Sequence, residues 1–176
     1  ENRAAADELH ARFVVPGSDL LTLVRLWDHL RHQQQELSKS QFRAMCKREH
    51  LHYLRVREWQ DLFSQLRQVA GEMGIRQATD AGHPDRVHQA VLAGLLSHIG
   101  MRDTVTRDYR GAHGSRFALG RESVVSKGQP RWVMASELVE TNRLWGRMAA
   151  EIKPEWAERL AGPLARRSYG DPTWDP

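Results

Sequence analysis

Arginines and aromatic residues are the side chains of this sequence whose types and spacing could do chemistry. In the run Tyr53-Leu54-Arg55-Val56-Arg57-Glu58-Trp59-Gln60, two guanidinium groups sit close to a phenol and a primary amide. Farther along, Arg143, Trp145 and Arg147 recur at every second position, so a strand there would carry all three on one face. An indole between two guanidiniums could stack a base and hold its phosphates. A Trp packed under a loop, with arginines reaching out to water, would give the same pattern. Other chemistry is harder to build. His29 and His32 share a helix face, and His50 and His52 are close, but neither pair makes a His-Glu-x-x-His arrangement. One cysteine cannot form a structural zinc site, so no metal is expected, and surface or capping roles are expected for these histidines. Cys46 lies among Phe42, Ala44 and Met45 and reads as a small core residue. The phosphate-cradling Gly-x-x-x-x-Gly-Lys-Ser/Thr loop, an acidic Mg²⁺-binding box and Gly-x-Gly-x-x-Gly are all absent from these residues.

Charge placement favours the same arginines. The chain carries a net charge of +4 over 176 residues. Between residues 102 and 131 lie Arg102, Arg107, Arg110, Arg116, Arg121, Lys127 and Arg131, against Asp103, Asp108 and Glu122. That window holds the whole excess, and a concentrated basic surface favours phosphate backbones through counterion release. The composition, 40% hydrophobic and 27% charged, is that of a globular protein able to bury a core. No apolar run is long enough to span a bilayer, and a single cysteine suits a reducing compartment; a cytoplasmic location and no membrane partner are expected.

The elements that must position these residues fall into two groups. Residues 3–12 read as a short helix with Ala4, Ala5, Leu9 and Phe13 on its buried side. After Pro16-Gly17, Ser18 is a predicted N-cap, followed by an apolar face from Leu20 through Trp27 and Leu30. Ser38 caps a third helix containing Phe42, Met45 and Cys46. A fourth begins near Tyr53, carries the stripe Trp59, Leu62, Phe63, Leu66, Val69 and Met73, and stops at Gly74; the stripe is expected to be core. His83-Pro84-Asp85 opens a fifth, running to Gly100. Strand-like segments follow at 104–106, 115–119, 123–126, 131–141 and 144–152, the last with Leu144, Met148, Ala150 and Ile152 on one face. The expectation is an α+β chain: a helical bundle over 1–100, a small five-stranded barrel of oligonucleotide-binding (OB) type over 101–168, and a tail over 169–176.

Three stretches in order carry a resemblance. Cys46-Lys47-Arg48-Glu49-His50-Leu51-His52-Tyr53-Leu54-Arg55 with Gln65-Leu66 resembles the helicase-associated region of DEAH-box RNA helicases. Val87-His88-Gln89-Ala90-Val91-Leu92-Ala93-Gly94-Leu95-Leu96 is similar to a second signature of that family's ratchet domain. Arg131 to Thr141, then Ile152-Lys153-Pro154-Glu155-Trp156, resembles its OB-fold ending. The resemblance implies a piece of an ATP-dependent RNA helicase, with ATP and Mg²⁺ handled by motor domains outside this sequence and no cofactor or catalytic residue in this chain. It implies a ratchet-like first module, truncated at its start, and as partners single-stranded RNA, or DNA, and the parent's own motor domains. By position it makes Arg55, Arg57 and Gln60 channel-facing. Charge alone adds Arg107, Arg110, Arg116, Lys127 and Arg131, and strand alternation adds Arg143, Trp145 and Arg147. The competing reading is a protein–protein module whose basic surface docks an acidic partner or the rest of the parent.

Overall fold

A computed structural model describes residues 2–78 and 82–164, so the expected tail over 169–176 lies outside the described residues. The chain forms two compact units, Glu1–His83 and Pro84–Pro176. The first contains α1 (Asn2–His10), α2 (Asp19–Glu36), α3 (Lys39–Arg48) and α4 (Tyr53–Glu72). The predicted caps are in place. Ser18 Oγ accepts the Leu21 N–H at 3.0 Å, with Asp19 in the positive first turn of α2. Ser38 and Gln41 close a reciprocal capping box on α3. At the end of α4, Ile75 N–H reaches Ala70 O at 2.8 Å and Gly74 N–H reaches Gly71 O at 3.0 Å. This is the Schellman closure, and it needs the left-handed Gly74, φ 76°.

The core of this unit is Leu30, Phe42, Met45, Cys46 and Val56, with Leu26, Leu37, Leu51, Tyr53 and Trp59 packed on it. Trp27 packs against Trp59 and Phe63 with the rings tilted, centroids 4.9 and 4.7 Å apart. The rest of the α4 stripe is a correction to the sequence reading. Leu62, Leu66, Val69 and Met73 are 53%, 60%, 51% and 70% exposed. Of the stripe, Trp59 and Phe63 meet Trp27 of α2, while these four side chains are each left more than half exposed. Ala4, Ala5 and Leu9 are exposed as well; Phe13, in the turn after α1, is the residue that is buried there.

The second unit holds α5 (Pro84–Ala93), β1 (Ile99–Arg102), β2 (Tyr109–Arg110), β3 (Arg116–Leu119), α6 (Val125–Gly128), β4 (Trp132–Glu140), β5 (Leu144–Glu151) and α7 (Pro154–Ala161). The strands close a barrel in the order β1-β2-β3-β5-β4, antiparallel except for the parallel β3–β5 pair. The expected boundary near Gly100 moves to His83–Pro84. The fifth helix packs on α7, with His88 stacked on Trp156 at 6.3 Å, and Gly100 lies inside β1.

Two expected strands are not strands. Residues 104–106 form a turn because the Asp103 carboxylate takes the N–H groups of Val105 and Thr106, at 2.9 and 3.2 Å. Residues 123–126 enter α6, with Ser123 Oγ accepting the Val125 N–H at 3.2 Å. Their places in the barrel are taken by β1 and β2.

Tyr109, Phe117, Val125, Val133, Ala135 and Ala149 fill the interior. Phe117 sets its width. A Cβ at Gly146 would lie 2.8 Å from the Phe117 ring, and one at Gly100 2.5 Å, so both walls close on the ring only as glycine. The period-two reading of β5 breaks at Met148, whose φ is 52°. Leu144 faces inward before it and Ala149 after it, so Ala150 turns out of the barrel together with its register partner Met134, and both are fully buried.

Candidate nucleic-acid interface

Side-chain alternation fixes what the barrel shows to solvent. Phe117 and Tyr109 point inward, so Arg116, Ala118 and Arg110 point outward. Gly146 faces Phe117, so Trp145 and Arg147 on either side of it project out as the sequence predicts. The register joins these strands: Arg110 lies opposite Arg116 across β2–β3, and Ala118 beside Trp145 across β3–β5. Neighbouring strands are about 4.8 Å apart. Arg110, Arg116, Trp145 and Arg147 therefore occupy one three-strand surface about 10 Å wide.

Two loops flank this surface. In the β1–β2 loop, the buried Asp103 carboxylate accepts Nε and Nη2 of Arg110 at 2.9 and 2.8 Å and Nη2 of Arg116 at 3.3 Å. The Arg110 hydrogen bonds and then the Val105 and Thr106 N–H groups hold its carboxyl at about 2, against an opposing effect of burial. In the β4–β5 loop, Arg143 bonds Asp108 Oδ1 at 2.5 Å, with its guanidinium carbon 5.0 Å from the Trp145 ring centroid. Arg143 thus ties the two loops together over the indole. Loops at these two positions, with strands 2 and 3, are where barrels of this topology bind oligonucleotides and oligosaccharides. Four arginines face three acids, Asp103, Asp108 and Glu137 (the register partner of Arg147 on the adjoining strand), so the surface keeps a slight basic excess.

The structure does not draw the other predicted residues into this cluster. Arg107 (in the β1–β2 turn, φ 63°), Lys127 in α6 and Arg131 before β4 are exposed and enter no ion pair among the described residues. Arg55 and Arg57 lie on α4 in the first unit. Arg55 is 3.1 Å from Glu58 and Arg57 3.7 Å from Asp61, so each has an acid on its own helix. Gln60 is held inside its own unit. It is buried, and its amide exchanges two hydrogen bonds with Gln34 of α2, at 3.0 and 3.1 Å.

Sequence reasoning missed Asp103 and Asp108, the acids that orient the arginines. Asp103, a residue type whose carboxylate can take backbone N–H groups two and three positions on, was the available signal for a turn. Cys46 is fully buried, and burial followed by the Glu49 charge pushes its thiol up, which makes it unreactive. Among the described residues no group of three or more His, Cys, Asp or Glu is placed to hold a metal ion. No helix of the described residues is long and apolar enough to cross a membrane.

The oligonucleotide/oligosaccharide-binding (OB)-fold family matches residues 87–164, which hold the barrel and α7. The chain is 48% identical to the ATP-dependent RNA helicase HrpA homolog of Haemophilus influenzae over 174 residues, 99% of this chain and 13% of that protein. It is 48% identical to the ATP-dependent RNA helicase HrpA of Escherichia coli over 175 residues, 99% of this chain and 14% of that protein. The chain is homologous, from end to end, to a segment of HrpA helicases. Its second unit is an OB fold. The HrpA relatives are about seven times longer than this segment, and the two aspartate-pinned loops belong to the part that the OB-fold family covers.

Proposed function

We propose that this chain is a nucleic-acid-gripping accessory region of an ATP-dependent RNA helicase, contributing to a channel that carries single-stranded RNA. The reading is supported above all by the outer face of β2, β3 and β5. There an indole and four guanidiniums are presented by a closed barrel, and both flanking loops are pinned by aspartates. Such a surface suits backbone phosphates and stacked bases without reading sequence, as a translocating motor needs.

The residues described here do not fit a nucleotide–Mg²⁺ site. Asp103 is engaged by two arginines, and among the described residues no group of three or more His, Cys, Asp or Glu is placed to hold a metal ion. No step of ATP hydrolysis is assigned to this chain; ATP and Mg²⁺ belong to the parent's motor domains, its partners in cis.

The test is a titration of the purified chain with labelled oligouridylate at several salt concentrations, together with an ATPase assay. Binding that weakens steeply with salt and no ATP turnover is expected. Turnover by the chain alone, or salt-independent binding, would overturn the reading. Alanine at Arg55, Arg57 and Arg116 should lower RNA binding; unchanged RNA binding with lost docking to the motor domains would favour the protein–protein alternative.

A further inference from the structure

α3 carries a charged surface that neither the sequence reading nor the barrel accounts for. Lys39, Arg43 and Lys47 recur every four residues, so they form one row with Cα atoms about 6 Å apart. All three are exposed, while Phe42, Met45 and Cys46 turn the opposite face into the core. The helix contains no acid. The acid that follows it, Glu49, is buried and taken by Arg12 and by His29 at 3.0 Å. Among the described residues, none of the three row cations enters an ion pair. In this they differ from Arg55 and Arg57.

The row borders an aromatic and apolar ridge. The Arg43 guanidinium carbon lies 5.7 Å from the Tyr53 ring centroid. A groove of about 610 Å³ is lined by Arg43, Lys47, Leu51, His52, Tyr53 and Leu54. On the other side of Tyr53 and Leu54, a second groove of about 490 Å³ includes Lys39 and Arg57. Leu54 is 62% exposed between them. His52 uses Nδ1 to cap α4 by accepting the Arg55 N–H, which leaves Nε2 for a ligand.

We propose that the α3 row with the Tyr53–Leu54 ridge is a second grip on a single-stranded polynucleotide, separate from the barrel surface. An unpaired row of three cations matches successive phosphates of an extended strand, and the aromatic–aliphatic ridge gives its bases a surface to lie on. This inference rests on the nucleic-acid reading above.

The 176-residue chain would be titrated with labelled oligouridylate by fluorescence anisotropy across a salt series. The variants are Lys39→Ala/Arg43→Ala/Lys47→Ala, Tyr53→Ala and the barrel pair Arg116→Ala/Trp145→Ala, each with its thermal melt recorded. The three row side chains are exposed and unpaired, so that variant should melt like the parent. It should bind at least tenfold more weakly, with the salt slope reduced by about 2, since each single-strand phosphate contact contributes about 0.7. Its loss should add to that of the barrel pair. Tyr53→Ala, if it unfolds, leaves the row variant to decide. An unchanged affinity and slope in a folded row variant, with binding abolished by the barrel pair, would overturn this grip while leaving the nucleic-acid reading intact. No binding by the parent chain would overturn both. Polyglutamate competing with oligouridylate at equal charge would assign the row to an acidic protein partner, and so overturn the proposal.

Discussion

The buried carboxylate of Asp103 and the guanidinium of Arg110 share two parallel hydrogen bonds, at 2.9 and 2.8 Å, across the base of the β1–β2 loop. The same carboxylate caps the loop's own backbone at Val105 and Thr106. One acid therefore shapes the loop and orients an arginine of the proposed RNA face. Its carboxyl sits at about 2, well below the usual carboxylate range, because the hydrogen bonds favour the charged form. A depressed pKa contributes stability that is complete above the unfolded value, near 4, and is lost as pH falls through the folded value. The barrel is expected to lose stability between about pH 4 and about pH 2. Asp103→Asn should be less stable at pH 7 and lose less over that interval, as followed by urea unfolding at a series of pH values. Parallel pH profiles for the two proteins would contradict this account.

Trp145 tests the barrel surface directly. The Arg143 guanidinium carbon lies 5.0 Å from its ring centroid, and the indole is half-buried on the outer face of β5. Trp145→Ala should weaken oligouridylate binding by about 1–3 kcal/mol, the usual worth of one base stacked on an aromatic side chain. Arg147→Ala should act mainly on salt dependence, lowering the slope by about 0.7. Anisotropy titrations at several salt concentrations separate the two effects. An equal fall in slope for both variants would mean that the indole only positions Arg143.

Gln60 should prove structural. Its amide pairs with Gln34 across α2 and α4 from a buried position, and each such hydrogen bond is worth about 0.5–1.5 kcal/mol net. Gln60→Ala is expected to lower unfolding stability by about 1–3 kcal/mol and to leave the salt slope of RNA binding unchanged. A stable variant with impaired RNA binding would restore the channel-facing role that the family resemblance implies.

How much could be read in the sequence differs between the two units for physical reasons. Helix starts were legible, because Ser18 and Ser38 act through neighbours three residues away. Burial was not. Leu62, Leu66, Val69 and Met73 have a core helix's spacing, but spacing says only that a stripe exists and nothing about what covers it. In the barrel, β4 and β5 were legible from alternation, whereas β2 has two residues and no period to detect. Thr104-Val105-Thr106 carries strand-forming side chains, but the Asp103 carboxylate captures its backbone first. Trp145 and Arg147 were found because they precede the break in alternation at Met148. Asp103 and Asp108 were missed because acids inside a basic window look like dilution of charge until the fold points them at arginines.

The exposed stripe of α4 makes the last prediction. Leu62→Lys and Leu66→Lys should change unfolding stability by less than about 0.5 kcal/mol, since neither side chain is buried. Leu30→Ala, at a fully buried position among Phe42, Met45 and Val56, should cost about 2–5 kcal/mol. The contrast inverts what the hydrophobic pattern alone would suggest, because Leu66 belongs to a longer and cleaner apolar stripe than Leu30. Urea unfolding followed by tryptophan fluorescence would report it, since Trp27 and Trp59 pack together in this unit. If the lysine variants unfold as readily as Leu30→Ala, the stripe is covered in solution and the first unit is more tightly packed than described.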